Sequence, residues 1–229
     1  MKTTLLVLLL LSVLVSCSST KKETLTEEKE HEDIQKEYTV IDSSSDKRPG
    51  WIENASLWAK MHGKDLVVNS YFSYETDPFQ KKSMACSKAK ASAYSDIARQ
   101  IATFISKTMA SSEEGTAAID ESNPKTESIR SFMEDTLAEK IQALIHGAKV
   151  EVTYWEKRKY EKALGAKKDY NAYTCAAFVS MENARLKEAI DKAANFTAAS
   201  TDDPETKANV KKALEEVSND FIKAKKGEI

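Results

Sequence analysis

The chain has 229 residues, a length that fits one domain with short additional segments. Its 34 basic and 36 acidic side chains leave a formal net charge of -2, so we expect no nucleic-acid partner that is held by bulk positive charge. With only 6 Gly and 4 Pro, collagen-like, glycine-loop and proline-rich classes are excluded.

The chain begins with a signal sequence that ends in a lipidation motif. After a positively charged start, residues 5–15 are nearly all Leu and Val, a run of about a dozen residues that is too short to span a bilayer. Residues 14–17, LVSC, resemble the lipobox of bacterial lipoproteins. We therefore predict a signal peptide over 1–16 and a lipid anchor on Cys17 that attaches the protein to a membrane. The alternative is an ordinary secretory signal with an incidental cysteine.

The residue after the predicted lipidation site indicates which membrane receives the protein. Ser18 stands where an Asp would retain an enteric lipoprotein on the inner membrane. We therefore expect a bacterial envelope protein anchored to the outer membrane, with its domain in the periplasm or at the cell surface.

Residues 17–48 are predicted to be the lipid anchor followed by a polar tether. The segment is dominated by Lys, Glu and Ser, and it offers too few apolar residues to offset the entropy of ordering. A coil of about thirty residues would reach on the order of 30 Å. The alternative is a fraying helix over about 23–38, which would leave the tether role unchanged.

The folded domain is predicted over 49–198. Its first strand is predicted over 65–75, which is rich in Val, Tyr and Phe, and its first long helix over 79–110. Apolar side chains from Tyr94 to Thr108 recur at the spacing of one helical face, and Ala85, Ala89 and Ala93 extend it as a stripe of small residues.

The second half of the domain is predicted as helix, hairpin and helices. A polar loop over 111–127 precedes an amphipathic helix over 129–145, and strands over 148–160 and 169–181 form an antiparallel hairpin. Helices follow over 182–196 and 204–224, so that 199–229 is assigned to a C-terminal helix. The order predicts an α+β fold, a three-stranded antiparallel sheet packed by long helices in the order β-α-α-β-β, with extra C-terminal helices.

We find no pattern typical of catalysis or of cofactor binding. His31, His62 and His146 lack a second ligand at metal spacing, and no nucleophile elbow or phosphate loop is present. Pairs of neighbouring acids are expected by chance in so charged a chain. We therefore predict a protein that is not an enzyme and that has no metal and no cofactor.

Cys86 and Cys175 are the two thiols left after lipidation. Cys86 lies on the first long helix and Cys175 in the last strand, on its more apolar side. Export to an oxidising compartment would allow a disulfide across the helix–sheet interface. The alternative is two buried, unpaired thiols that pack as small apolar groups.

Aromatic residues on the strands suggest an interface. Alternation places Val150, Val152 and Tyr154 on the face that we expect the helices to cover, and leaves Trp155 on the opposite, mixed face. An exposed aromatic face usually binds a partner. The alternative is that the C-terminal helices cover it. The candidate interface residues are Trp155, Tyr71, Tyr154 and Tyr173.

Several segments of residues 49–195 together resemble the lipoprotein-twenty family of bacterial envelope lipoproteins. They are PGW at 49–51, the first strand, DIARQI at 96–101, VEVTYWE at 150–156 and YTCAAFVSM at 173–181. The resemblance implies a dodecin-like arrangement of sheet and long helix, outer-membrane anchoring and no catalytic residues; some members are accessories of flagella or of the cell surface. NSY at 69–71 replaces glycines often found in the first strand of the family, and the acidic loop and the final helix also depart from its pattern.

Two functions follow from these features. We predict a non-catalytic, lipid-anchored envelope protein that acts as a protein-interaction or assembly module, by binding envelope proteins or itself, for example as an accessory of a surface or flagellar structure. The alternative is a periplasmic small-ligand carrier with an aromatic-lined cleft between the sheet and the helices.

Overall fold

The computed structural model describes residues 37–229. The predicted signal peptide over 1–16, the predicted lipidation site at Cys17 and most of the predicted tether lie outside these residues.

A four-stranded antiparallel sheet forms the centre of the described domain. Its strands run in the spatial order β1-β3-β4-β2. They are β1 (Tyr38–Ser43), β2 (Asn69–Glu75), β3 (Lys149–Tyr160) and β4 (Tyr170–Glu182). The three predicted strands are present, and the mixed α+β class with an antiparallel sheet is confirmed.

The fourth strand, β1, corrects the prediction of a three-stranded sheet. It lies inside the segment predicted as a polar tether and pairs with the outer edge of β3, with Tyr38 opposite Tyr160 and Ser43 opposite Glu156. The TVI run that starts at Thr39 suits an extended backbone, and the ring of Tyr38 lies 5.3 Å from that of Tyr160. The folded domain therefore includes residues that the sequence analysis had placed in the tether.

Eight α-helices account for most of the remaining described residues. The bounds are α1 (Ala55–Met61), α2 (Lys82–Ser111), α3 (Glu113–Ala118), α4 (Glu127–Ser131), α5 (Leu137–Leu144), α6 (Asn183–Ala199), α7 (Pro204–Ala213) and α8 (Val217–Lys226). Among residues 37–229, no helix combines the length and apolarity that a membrane span requires.

Three helical predictions differ from the structure in detail. The predicted acidic loop contains α3. Ser112 caps the N-terminus of this helix, because its side chain accepts a hydrogen bond from the backbone N–H of Gly115. A wider π-helical turn at Phe132–Thr136 separates α4 from α5, where one helix was predicted. The predicted C-terminal helix is split into α7 and α8, which bury Val210 and Phe221 in the main core rather than standing apart.

The main core lies between α2 and one face of the sheet. Ile97, Ile101 and Ile105 are fully buried on the predicted stripe of α2. Ala85 and Ala89 are also fully buried, and such small side chains allow a helix to lie close to the sheet. The predicted helical face of α2 is therefore the packed one.

A β-bulge in β3 reverses the predicted assignment of its faces. Val150 lies opposite Val179 and Val152 lies opposite Phe178, so Glu151 is an extra residue that interrupts the pairing. Val150 packs against the main core, whereas Tyr154 packs on the other side of the sheet with Phe178. The prediction that Val150, Val152 and Tyr154 share one face is wrong, because strict alternation fails at an inserted residue.

The second face of the sheet is covered by the segment that precedes β2. The 3-10 helix Gly50–Ile52 and α1 lie over it, and Trp51 packs with its ring centroid 5.4 Å from that of Phe178. The sequence left this face either open to a partner or covered by the C-terminal helices. The structure shows a third arrangement, in which the Trp-containing segment after β1 supplies the cover.

Candidate functional site

The four aromatic residues predicted as an interface lie on two different sides of the sheet. Tyr71 and Tyr154 are each only 5% exposed, beneath the cover formed by Gly50–Ile52 and α1. Trp155 and Tyr173 lie on the α2 side with ring centroids 6.2 Å apart. The structure therefore does not bring the four together into one exposed surface.

Trp155 is partly buried at the edge of the main core. Lys82, at the start of α2, places its Nζ 4.3 Å from the centroid of the Trp155 ring. The backbone N–H of Trp155 donates to Oγ of Ser44, 3.1 Å away, just after β1. These contacts make Trp155 a packing residue that joins α2 to the sheet, and they remove it from the centre of an exposed interface.

Cys86 and Cys175 form a disulfide that ties α2 to the sheet. Cys86 is the fifth residue of α2 and Cys175 lies in the middle of β4, and their Cα atoms are 4.9 Å apart. Cys175 faces the main core, as the sequence analysis expected of its strand. Of the two arrangements that the sequence left open, the structure contains the paired one.

Four charged residues form a cluster on the second face of the sheet. Arg48 Nη2 lies 2.6 Å from Glu75 Oε2, and Arg158 Nη2 lies 2.5 Å from Glu75 Oε1. Arg158 Nε also donates to Glu156 Oε2 at 2.8 Å. We call Arg48, Glu75, Glu156 and Arg158 the ionic cluster. Two guanidinium groups and two carboxylates make its formal charges balance.

The strand register explains how the ionic cluster reaches across β4. Glu75 is in β2 and Arg158 in β3, and β4 lies between these strands. β4 places Ala176 opposite Glu75 and Ala172 opposite Arg158. These small side chains leave room above β4 for the longer side chains to meet.

The charges of the ionic cluster are paired with one another, which indicates a role in stability rather than in catalysis. Burial opposes ionisation of Glu75, but hydrogen bonds from Arg48 and the charge of Arg158 outweigh it and hold the Glu75 pKa below its usual value. Because its carboxylates already accept hydrogen bonds from guanidinium groups, the cluster offers no free base. It fastens Arg48, in the segment that follows β1, to β2 and β3. Sequence reasoning missed it; the only signal was the spacing of Glu156 and Arg158 on one face of a predicted strand.

We expect the ionic cluster to make stability depend on pH. Because the folded-state pKa of Glu75 is lowered, its contribution is complete above the unfolded-state value near 4.5 and is lost as pH falls through the folded-state value. Glu75→Gln should lower the free energy of unfolding at pH 7 by about 1.5–3 kcal/mol. Denaturant unfolding between pH 7 and pH 3 measures both effects, and the variant should lose less stability on acidification than the wild type.

Glu188→Gln is the matched control for this prediction. Glu188 pairs with Lys192 one turn along the exposed side of α6, and exposed helix pairs contribute little to stability. The control should unfold like the wild type at pH 7. Equal stability of the Glu75→Gln and Glu188→Gln variants would contradict the role of the ionic cluster.

Four of the eleven exposed large apolar side chains in the described residues lie in or directly after α1. Leu57 and Met61 are 53% and 75% exposed and lie one turn apart, on the side opposite the buried Ala55 and Ala59. Val67 and Val68, just before β2, are 80% and 51% exposed. We call Leu57, Met61, Val67 and Val68 the α1 surface. Large apolar side chains grouped in this way are typical of a binding surface.

Four surface depressions in the described residues lack aromatic lining. The first, of about 740 Å³, lies where α2 meets α3 and is lined by residues such as Ala110, Ile119 and Glu121. Three others have volumes of about 400, 360 and 140 Å³. None of these four is lined by Phe, Tyr or Trp. Within residues 37–229, no group of three His, Cys, Asp or Glu side chains is placed to hold a metal ion.

Comparison with protein-family models, curated proteins and solved structures finds no match to this chain. The resemblance to the lipoprotein-twenty family therefore stays a prediction from the residues that carry it.

Proposed function

We propose that the protein is a lipid-anchored envelope protein, held in the outer membrane through Cys17, whose domain acts as a protein-interaction module. The observation that carries the interaction role is the α1 surface, an exposed apolar patch on a domain whose cores are otherwise closed. The LVSC motif at 14–17 supports the anchor, and Ser18 supports the outer membrane. The lipoprotein-twenty resemblance supports the same location and a role without catalysis.

Replacing Cys17 tests the anchor. The thiol is the acceptor of the diacylglycerol, so Cys17→Ser should move the protein from the membrane fraction to the soluble fraction of the cell. Ser18→Ala is the control, because it leaves the thiol in place and should keep the protein in membranes. Detergent partitioning shows both outcomes, and a Cys17→Ser chain that partitions like the wild type would refute the anchor.

We propose a second copy of the chain as the occupant of the α1 surface. Anchoring confines many copies to one membrane and raises their effective concentration, so that a contact of modest area becomes populated. Leu57 and Met61 form an apolar ridge on one helix, which two copies can pack together around a two-fold axis. This proposal replaces the Trp155 interface of the sequence analysis, because Trp155 is engaged by Lys82 and the main core.

A charge placed in the α1 surface should weaken self-association. Met61→Lys puts an ammonium group into the proposed apolar contact, and we expect association at least about tenfold weaker. Met84→Lys is the matched control, because Met84 is also exposed, at 52%, but lies on α2. Analytical ultracentrifugation of the full chain in detergent measures both variants. A wild-type chain that stays monomeric, or equal effects of the two variants, would contradict self-association and leave an envelope protein as the occupant.

The small-ligand carrier is the second candidate. It requires an enclosed, aromatic-lined cleft, and the aromatic side chains of the second face are packed against each other instead: the ring of Trp58 lies 5.3 Å from that of Phe178, edge to face. The described depressions favour the interaction module over this alternative.

A further inference from the structure

The turn between β3 and β4 is strongly basic. Residues 157–169 contain five lysines and one arginine against two acidic residues, in a chain whose formal net charge is -2. We call residues 157–169 the basic tip. The chain reverses there through the 3-10 helix Lys162–Leu164 and Gly165, whose φ of +105° favours glycine.

The charge of the basic tip faces solvent. Lys162, Lys167 and Lys168 are all exposed, and within residues 37–229 none of them forms an ion pair. Arg158 is engaged in the ionic cluster and Lys159 pairs with Glu161 at 2.7 Å. In the described part of the chain, Lys157 is partly buried and Asp169 is exposed without an ion pair, so the three exposed lysines still leave a net positive charge at the tip.

The basic tip lies where the chain from the N-terminus joins the domain. The backbone N–H of Glu161 donates to the carbonyl oxygen of Glu37 at 3.2 Å, and Tyr38 begins β1 opposite Tyr160. About twenty residues separate Tyr38 from Cys17, a length that spans on the order of 25 Å as a flexible coil. A lipid on Cys17 would therefore hold this end of the domain near the bilayer.

We propose that the basic tip rests on the membrane and binds the phosphates of anionic lipids through Lys162, Lys167 and Lys168. This inference depends on the anchor proposed for Cys17. Basic side chains at an anionic surface each strengthen attachment by about fivefold, and the effect decays within a Debye length of about 8 Å at physiological salt. The lipid anchor on Cys17 confines the protein to the membrane, and the basic tip orients the domain relative to the membrane surface.

The orientation leaves the α1 surface turned away from the lipid. Asn69 at the start of β2 pairs with Glu182, and Lys149 pairs with Ser180, so the loop that carries Val67 meets the sheet at the end opposite the tip. When the basic tip contacts the membrane, the α1 surface therefore faces away from the lipid and is accessible to other proteins.

Site-specific fluorescence on the lipidated full chain tests the proposal. Ala163→Cys in the tip adds one free thiol, because Cys17 is capped by lipid and Cys86 is paired with Cys175. The fluorescence of an environment-sensitive dye at this position is measured in phosphatidylcholine vesicles with or without about one-third phosphatidylglycerol. Lipids with nitroxide-labelled headgroups in the vesicles quench a dye that lies close to the membrane surface. Lys149→Cys is the matched dye position, because Lys149 is exposed at the opposite end of the sheet and lies outside the α1 surface.

We expect strong quenching at position 163 in the anionic vesicles, weaker quenching in neutral ones and little at position 149 in either. Alanine at Lys162, Lys167 and Lys168 should reduce quenching at 163 in anionic vesicles to the neutral level, and raised salt should do the same. Alanine at three exposed lysines elsewhere, Lys107, Lys140 and Lys211, should change nothing.

The outcomes separate the tip from the anchor. A chain that binds neither type of vesicle would refute the anchor. A chain that binds both types but is quenched equally at 163 and 149, or is quenched at 163 regardless of lipid charge, would overturn the basic tip as a lipid contact. A dye at 163 that is not quenched in anionic vesicles, but whose emission shifts when an acidic protein is added, would overturn the lipid contact in favour of a protein ligand.

Discussion

Replacing Ile101 by alanine is expected to lower the free energy of unfolding by about 2–5 kcal/mol, as for other large-to-small changes in a closed core. Ile101 is fully buried on α2, between Ile97 and Ile105. The loss combines the transfer energy of the removed carbons with the cavity that the surrounding helices and sheet leave unfilled. Denaturant unfolding of the full chain, followed by circular dichroism, measures the change.

Lys107→Ala is the control for this prediction. Lys107 lies on the exposed side of the same helix, so its replacement should leave stability within about 0.5 kcal/mol of the wild type. A midpoint for Ile101→Ala equal to that of the control would mean that the face of α2 that carries Ile101 is not the packed face.

Removing the disulfide is expected to have the second large effect. Cys86 and Cys175 are 89 residues apart in sequence, and a crosslink that closes so long a loop restricts the unfolded chain strongly. Cys86→Ala should therefore lower the free energy of unfolding by about 2–4 kcal/mol. The fold should remain, because the main core surrounds the crosslink on the α2 side of the sheet.

Chemical reduction distinguishes the crosslink from the side chain. Dithiothreitol should destabilise the wild type by nearly as much as the substitution does, and it should leave Cys86→Ala unchanged. Equal loss of stability in both proteins on reduction, or a wild type whose two thiols react freely with a maleimide before denaturation, would contradict the disulfide.

The elements with strong periodicity were predictable from sequence alone. A helix was predicted over 79–110 and α2 spans Lys82–Ser111; strands over 148–160 and 169–181 correspond to Lys149–Tyr160 and Tyr170–Glu182. In these segments the local pattern and the tertiary environment agree, because one long face is buried along the whole element. The main-core side of β4, which carries Cys175, followed from the same patterns, whereas the faces of β3 did not.

The elements that depend on distant partners were not predictable in this way. β1 is a short run whose side chains are mostly exposed, and it is a strand only because β3 offers an unpaired edge. The ionic cluster joins residues from 48 to 158, which meet only once β4 brings β2 and β3 to its two sides. Apart from Glu156 and Arg158, which lie two residues apart on one strand, nothing in the spacing of these residues indicates that they touch.

The candidate interaction site shows the same division. The sequence by itself determined the class of fold and the packed face of α2, because each rests on a local pattern of side chains; the lipid anchor on Cys17 stays a prediction from such a pattern. Only the tertiary structure decided which faces of the sheet Tyr154 and Trp155 occupy, because one inserted residue, Glu151, exchanges the faces of the β3 side chains that follow it. Strict alternation cannot predict a bulge, so it assigned Trp155 to the wrong face of the sheet. In the structure Trp155 lies on the core side, and the candidate exposed apolar surface is on α1 instead.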